Sequence, residues 1–244
     1  MDAFGFATKA KARLVARGDM QREFVDFADL YAPTVATSSV RLLAAFANEY
    51  DLELCHFDVD QAFVRADLKE DVFMRLPEGC GALSGKIVKL NKSLYGLRQA
   101  SRQWYAMLKK CLLVLGFEQC LADSCVFRLI QGGIVVMILV VHVDDIFAVG
   151  KERCDQFGED LNRMVPVKNL GELKWYSGCF YERDREAGRL KISQQTYTEE
   201  LGEKFDVEAF LCLRPASFMN LMSMSQLSVV FSESSSDLFC GLPC

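Results

Sequence analysis

The sequence predicts an α+β domain, and three observations carry that expectation. Residues 133–150, GIVVMILVVHVDDIFAVG, run as an apolar strand into two adjacent carboxylates and leave as a second apolar strand. Runs of four to eight apolar, β-branched residues are what sheet interiors use, so residues 134–141 and 146–149 are the arms of a buried hairpin. Helical stripes recur elsewhere, in Val40, Leu43, Ala44 and Ala47 and again in Trp104, Leu108, Leu112 and Leu115. The segments between them alternate as short strands, and strands and helices mixed in this way define an α+β chain.

In order, residues 9–18, KAKARLVARG, read as a basic strand projecting Lys9, Lys11 and Arg13 to one side at period two, a face suited to phosphates. Ser38 or Ser39 is placed to cap a helix over residues 40–50, whose apolar stripe assigns it to core packing. A strand over residues 52–59 (LELCHFDV) leads to a helical turn over 61–68. Residues 72–76 then alternate as a strand that Pro77 and Gly79 break. After a strand over 86–90, a helix is expected over 100–115, ending at Gly116. Beyond the carboxylate hairpin come an amphipathic helix over 151–164 and strands over 173–183 and 189–193 joined by the charged turn DREAG. A last helix is expected over 195–205. Residues 208–244 are rich in Ser, Met and Cys with few charges, and are expected to form a poorly ordered tail.

At 244 residues and 51% apolar content the chain has ample material for a sizeable core. Its longest apolar run is far short of the roughly 20 residues a membrane span needs, so a soluble, intracellular protein without a membrane partner is expected. The ten cysteines include no C-x-x-C pair and lie scattered in apolar or helical segments, which predicts free, mostly buried thiols. Cys240 and Cys244 are a weak zinc signal without a second pair or a nearby His. The net charge of −5 conceals an uneven distribution: residues 79–117 contain no acid, yet carry Lys86, Lys89, Lys92, Arg98, Arg102, Lys109 and Lys110. Such a stretch suits a phosphate backbone and equally suits a solvated helix face.

Asp144 and Asp145 alone are compatible with ordinary turn chemistry, since Asp bonds its local backbone. A third carboxylate, Asp58, ends another apolar strand in the same way. Three Asp side chains converging from two strands could bind a pair of Mg²⁺ ions, which prefer hard oxygen ligands and keep positions open for substrate phosphates.

In order and spacing these segments resemble the reverse transcriptase domain of copia-type LTR retrotransposons. The resemblance rests on KARLVARG (11–18), YAP (31–33), DVDQAF (58–63), PEG (77–79), SLYGLRQASRQW (93–104), HVDD (142–145) and LGELKWYSG (170–178), and covers about residues 9–207. Residues 1–8 are then a leader. The resemblance implies a right-hand polymerase with fingers and palm, its carboxylate-bearing hairpin in the palm sheet. It implies transfer of dNTPs onto the 3′-hydroxyl of a DNA or RNA primer on an RNA template, in the cytoplasm or a virus-like particle. Asp58, Asp144 and Asp145 are implied as the catalytic and metal-binding residues for two Mg²⁺ ions, with Mn²⁺ an alternative. Lys11 or Arg13 would meet the triphosphate, Phe63 would exclude a ribose 2′-hydroxyl, and Gln99 would contact the nucleotide sugar or template base. Lys89, Lys92, Arg98, Arg102, His142, Trp175 and Tyr176 are implied as nucleic-acid contacts.

Each residue also has a plainer reading. Phe63 in an Ala-Phe pair is often core, and Trp175 and Tyr176 are ordinary strand aromatics. The sequence departs from the family at His142, where a Tyr is usual, and at Phe24, where a Gly is usual and a backbone turn is therefore expected to be strained. The family's preceding fingers segment and following ribonuclease H domain are expected to lie outside this chain. Two alternatives stand beside the polymerase: an inactive remnant with weak nucleic-acid binding through residues 86–110, and an unrelated Mg²⁺-dependent phosphotransferase.

Overall fold

The two apolar arms pair with each other, and the rest of the fold is arranged around them. The computed structural model describes residues 13–151, 153–194, 198 and 202. Lys9, Lys11, the tail with Cys240 and Cys244, and nearly all of the helix expected over 195–205 lie outside these residues. In chain order the elements are α1 (Thr37–Glu49), β1 (Glu53–Val59), β2 (Asp67–Arg75), β3 (Ile87–Lys92), α2 (Ala100–Val114), β4 (Phe117–Gln119), β5 (Val126–Gln131), β6 (Ile134–His142), β7 (Asp145–Gly150), α3 (Cys154–Asn162), β8 (Val167–Glu172), β9 (Trp175–Tyr176), β10 (Cys179–Asp184) and β11 (Arg189–Ser193). A single turn of 3₁₀ helix, Ala62–Arg65, follows β1.

The main sheet is antiparallel, in the order β4-β5-β6-β7-β1-β8. Its centre is covered on both sides, which is why β6 and β7 read as nearly continuous apolar runs. On one face Phe57, Val59, Leu139, Val141, Ile146 and Ala148 meet α2 and α3 through Trp104, Leu108, Leu112, Phe157 and Leu161. On the other, Leu54, Val140, Phe147 and Val149 meet α1 through Val40, Leu43, Ala44 and Ala47, the stripe expected from sequence, and meet Tyr176, Cys179 and Tyr181 of the smaller β9–β11 sheet. The buried Arg183 side chain joins these layers, donating to the Ala47 and Leu52 carbonyls at 2.7 and 2.6 Å. Helix α3 lies very close to β1: a Cβ on Gly158 would come within 2.6 Å of the Phe57 ring.

Several boundaries differ from the sequence expectation. No side chain caps α1; Ala36 holds the N-cap, and Ser39 Oγ instead donates to Asp123 Oδ2 at 2.6 Å. The described part of the expected basic strand, Arg13 to Arg17, is irregular backbone. Strand β2 starts five residues before the expected 72, because its alternating burial pairs it with β3 along one half-exposed hairpin. The strand expected over 173–183 is split by Ser177 and Gly178, both at positive φ (49° and 73°), into the β9–β10 turn. Strands β4, β5 and β8 were not expected. The seven cysteines among the described residues are free thiols, as expected. Among the described residues no helix is long and apolar enough to cross a membrane.

Candidate active site

The hairpin between β6 and β7 turns through Val143 and Asp144, and His142 pairs with Asp145 at its mouth. Strand β1 runs alongside β7 so that Asp58 lies directly across from Asp145. The Val59 N–H donates to the Asp144 carbonyl at 2.8 Å, which fixes the turn against the end of β1. Val143 has φ of 54°. A β-branched residue there is an outlier whose strain is of the order of 1–3 kcal/mol, held only where surroundings over-determine it. One such restraint is visible: the buried Trp104 indole N–H of α2 donates to the Val143 carbonyl at 2.7 Å.

Asp144 is half-buried, and its Oδ1 is buried without a hydrogen-bond partner. Burial, then the Asp58 and Asp145 carboxylates, push its carboxyl up to about 6, with Arg13 acting in the opposite direction. An orphaned oxygen in a crowd of like charges is a place where a cation would be stabilising. Asp145 is committed differently, accepting from His56 Nε2 at 2.7 Å. Asp58 and Asp144 are therefore the pair whose hard oxygen donors fit a divalent ion. The three aspartates do not form one tight cluster: among the described residues, the group of three metal-ligating side chains whose ligand atoms lie within 4.8 Å of one another is a different one, Glu53, Cys55 and Cys154.

Beside the carboxylates, Phe63 packs edge-on against Tyr95 with ring centroids 4.9 Å apart, and the Arg13 guanidinium lies 6.0 Å from the Tyr95 ring centre. Burial first, and then the Asp144 carboxylate, raise the Tyr95 phenol above its ordinary value. Sequence reasoning overlooked Tyr95, although it stands inside SLYGLRQ. It also overlooked His56 and the role of Trp104 in holding the turn, treating the latter only as a helix stripe.

The remaining expected residues fall in three groups. Gln99 is fully buried, with its Nε2 donating to the Asp26 carbonyl at 2.9 Å and its Oε1 accepting from Gln21 at 3.0 Å. The amide organises the loop from Gln21 to Asp26. The basic side chains are largely engaged: Lys89 with Asp71 (2.6 Å), Lys92 with Asp67 (2.5 Å) and Arg102 with Asp29 (2.9 Å). Arg98 donates to the Gly18 carbonyl at 2.8 Å and lies over the Phe27 ring. Lys89, Lys92 and Arg102 of the acid-free stretch thus meet acids brought by β2 and the N-terminal loop, pairings that sequence order conceals. Third, the His142 ring meets Tyr176 edge-on at 5.5 Å, and Tyr176 is buried against Phe147. Trp175 is half-exposed against Phe180. Lys11 lies outside the described residues.

The chain belongs to the reverse transcriptase (RNA-dependent DNA polymerase) family, whose profile matches residues 2–216. More narrowly, it is similar to Pol polyproteins of copia-type transposons. It is 34% identical over 204 residues to the retrovirus-related Pol polyprotein from transposon TNT 1-94 of Nicotiana tabacum, covering 81% of this chain and 15% of that protein. It is 34% identical over 201 residues to the corresponding polyprotein from transposon RE1 of Arabidopsis thaliana, and 32% identical over 201 residues to that from RE2, covering 81% of this chain and 14% of each. The chain thus spans about one seventh of the length of these relatives. No solved structure matches it.

Proposed function

We propose that the chain is the nucleotidyl-transferring part of a reverse transcriptase, with fingers and palm assembled around the β6–β7 hairpin, extending a primer on an RNA template. The observation that carries this reading is the Asp144 carboxylate, raised to about 6 with an unpartnered oxygen at the tip of a restrained turn and Asp58 close by. Asp58 and Asp144 would hold divalent ions, which the family uses generally. When bound, two Mg²⁺ ions lower the pKa of a primer 3′-hydroxyl and neutralise charge on the triphosphate. Asp145, held by His56, keeps the local potential negative. Arg13 supplies the opposite charge for a triphosphate, and Phe63, backed by Tyr95, presents a ring that excludes a 2′-hydroxyl. Trp175 offers an exposed ring for nucleic acid.

A second reading, a fold of this family without activity, is favoured by one observation. Gln99 and most of the basic side chains expected to meet substrate are engaged within the chain. Primer extension on an RNA template with dNTPs and Mg²⁺ or Mn²⁺ separates the two. Incorporation by the chain that Asp58→Asn and Asp144→Asn each reduce at least about 100-fold supports the polymerase. No incorporation by a chain with native circular dichroism establishes the inactive fold.

A further inference from the structure

The carboxylate pair occupies one end of β1, and a second, chemically different cluster occupies the other. Glu53 and Cys55 are two residues apart on β1 and so share a face with Phe57, the face on which α3 packs. Helix α3 begins at Cys154, and the ligand atoms of Glu53, Cys55 and Cys154 all lie within 4.8 Å of one another. We propose that Glu53, Cys55 and Cys154 form a site for a thiophilic divalent cation of the zinc type, separate from the hard-oxygen site at Asp58 and Asp144.

Three features make the cluster a prepared site. The first is rigidity: Cys154 is 1% exposed, its N–H donates to Glu53 Oε2 at 3.3 Å and its thiol lies 3.7 Å from the Ala148 carbonyl. Close packing of Gly158 on Phe57, and the edge-on contact of Phe57 with Phe157 at 5.4 Å, hold α3 at this distance from β1. The second is convergence: Glu53 and Cys55 come from β1 and Cys154 from α3, so three ligand atoms meet from two separate elements, and both cysteines are free thiols. The third is ligand chemistry: two sulfurs and one carboxylate select zinc over magnesium, and three protein ligands leave a fourth, tetrahedral position for water. On binding, each thiol gives its proton to solvent and its sulfur lone pair to the metal, with no change of oxidation state.

Co²⁺ titration of the reduced, full-length chain in excess Mg²⁺ tests this, because Mg²⁺ occupies hard-oxygen sites while thiolate ligation gives Co²⁺ a charge-transfer absorption. The expected result is a band saturating at one ion per chain and displaced by Zn²⁺. The band should be lost in Cys55→Ser and in Cys154→Ser, weakened about tenfold or more in affinity in Glu53→Gln, and unchanged in Asp144→Asn. Because Cys154→Ser alters a core residue, Zn²⁺ protection of Cys55 from alkylation in the unsubstituted chain gives a readout independent of any variant. A folded chain showing no thiolate band and no protection overturns the proposal. So does a band that survives in the Cys55→Ser, Cys154→Ser double variant.

Discussion

Asp144 and Phe24 are both strained, by different physics. Asp144 is strained electrostatically. Its carboxyl titrates near 3.8 in the unfolded chain and at about 6 in the fold, so between those values the folded chain retains a proton that the unfolded chain has released. Stability contributed by this group is therefore fully present below about pH 4 and is lost as pH rises through 6. Asp144→Asn should flatten that segment of the profile. Above pH 6 the variant should be more stable by on the order of 1 kcal/mol, the half-exposed side chain being partly screened by solvent. Urea denaturation of both forms at a series of pH values checks it; identical profiles would show that the carboxyl is not raised. Phe24 is strained in its backbone, with φ of 61° and its ring 84% exposed, in a turn closed by its N–H to the Phe27 carbonyl at 2.7 Å. An exposed ring contributes little packing, whereas the left-handed conformation costs about 1–2 kcal/mol. Phe24→Gly should raise stability by roughly 1 kcal/mol, less the entropy that Gly adds to the unfolded chain, readable as an increase in Tm. That strain is expected from the sequence, where the resemblance implies a Gly in place of Phe24. The raised Asp144 carboxyl is not, because it depends on how closely Asp58 is brought alongside.

At the scale of elements, the central strands could be read because burial on both faces leaves a continuous apolar run, and α1 because burial on one face leaves a helical stripe. The strands that sequence missed lack that imprint. Strand β8, VKNLGE, is an edge strand with five of its six residues exposed, so nothing forces alternation on it, and β4 is only three residues long. Helix α3 begins at Cys154 rather than 151, since β7 continues as far as Gly150. What no single element could disclose is the contact between α2 and the hairpin. Trp104 reads as one more stripe residue, yet its N–H is the donor that holds the strained Val143 turn. Trp104→Phe keeps most of the buried ring and deletes that donor, leaving a carbonyl short of its partner, a loss of about 1–2 kcal/mol. The turn should loosen before the helix does. Hydrogen exchange should accelerate at Val59, whose N–H is bound to Asp144, while α2 amides change little; equal acceleration across both would show that the indole serves packing alone.

At the scale of the whole molecule, the site stands where the main sheet, α2 and the N-terminal strap meet, and the strap is attached by close backbone approach. The Ala16 N–H donates to the Tyr95 carbonyl at 2.7 Å, and Arg98 Nε donates to the Gly18 carbonyl at 2.8 Å. A Cβ on Gly18 would stand 2.0 Å from the Gly96 carbonyl oxygen, and one on Gly96, itself at φ 88°, would stand 2.2 Å from the Ala16 carbonyl oxygen. These are backbone atoms, so the chain must part to admit even a methyl group. Parting it removes Ala16 from its small cluster with Val72, Leu97 and Ala100, and carries Arg13 away from Tyr95 and Asp144. Gly18→Ala should therefore release the strap without unfolding the main sheet. Tryptic cleavage after Arg17 should speed up by about tenfold or more, corresponding to a local loss of at least about 1.4 kcal/mol, while exchange in α3 stays as it was. With Arg13 withdrawn, the Asp144 carboxyl should also move further up, since the cation that opposes its rise is gone. Faster cleavage with an unmoved Asp144 would show that the strap is only a cover. Both changes together would make it an electrostatic part of the site, which no stretch of the sequence read alone could have revealed.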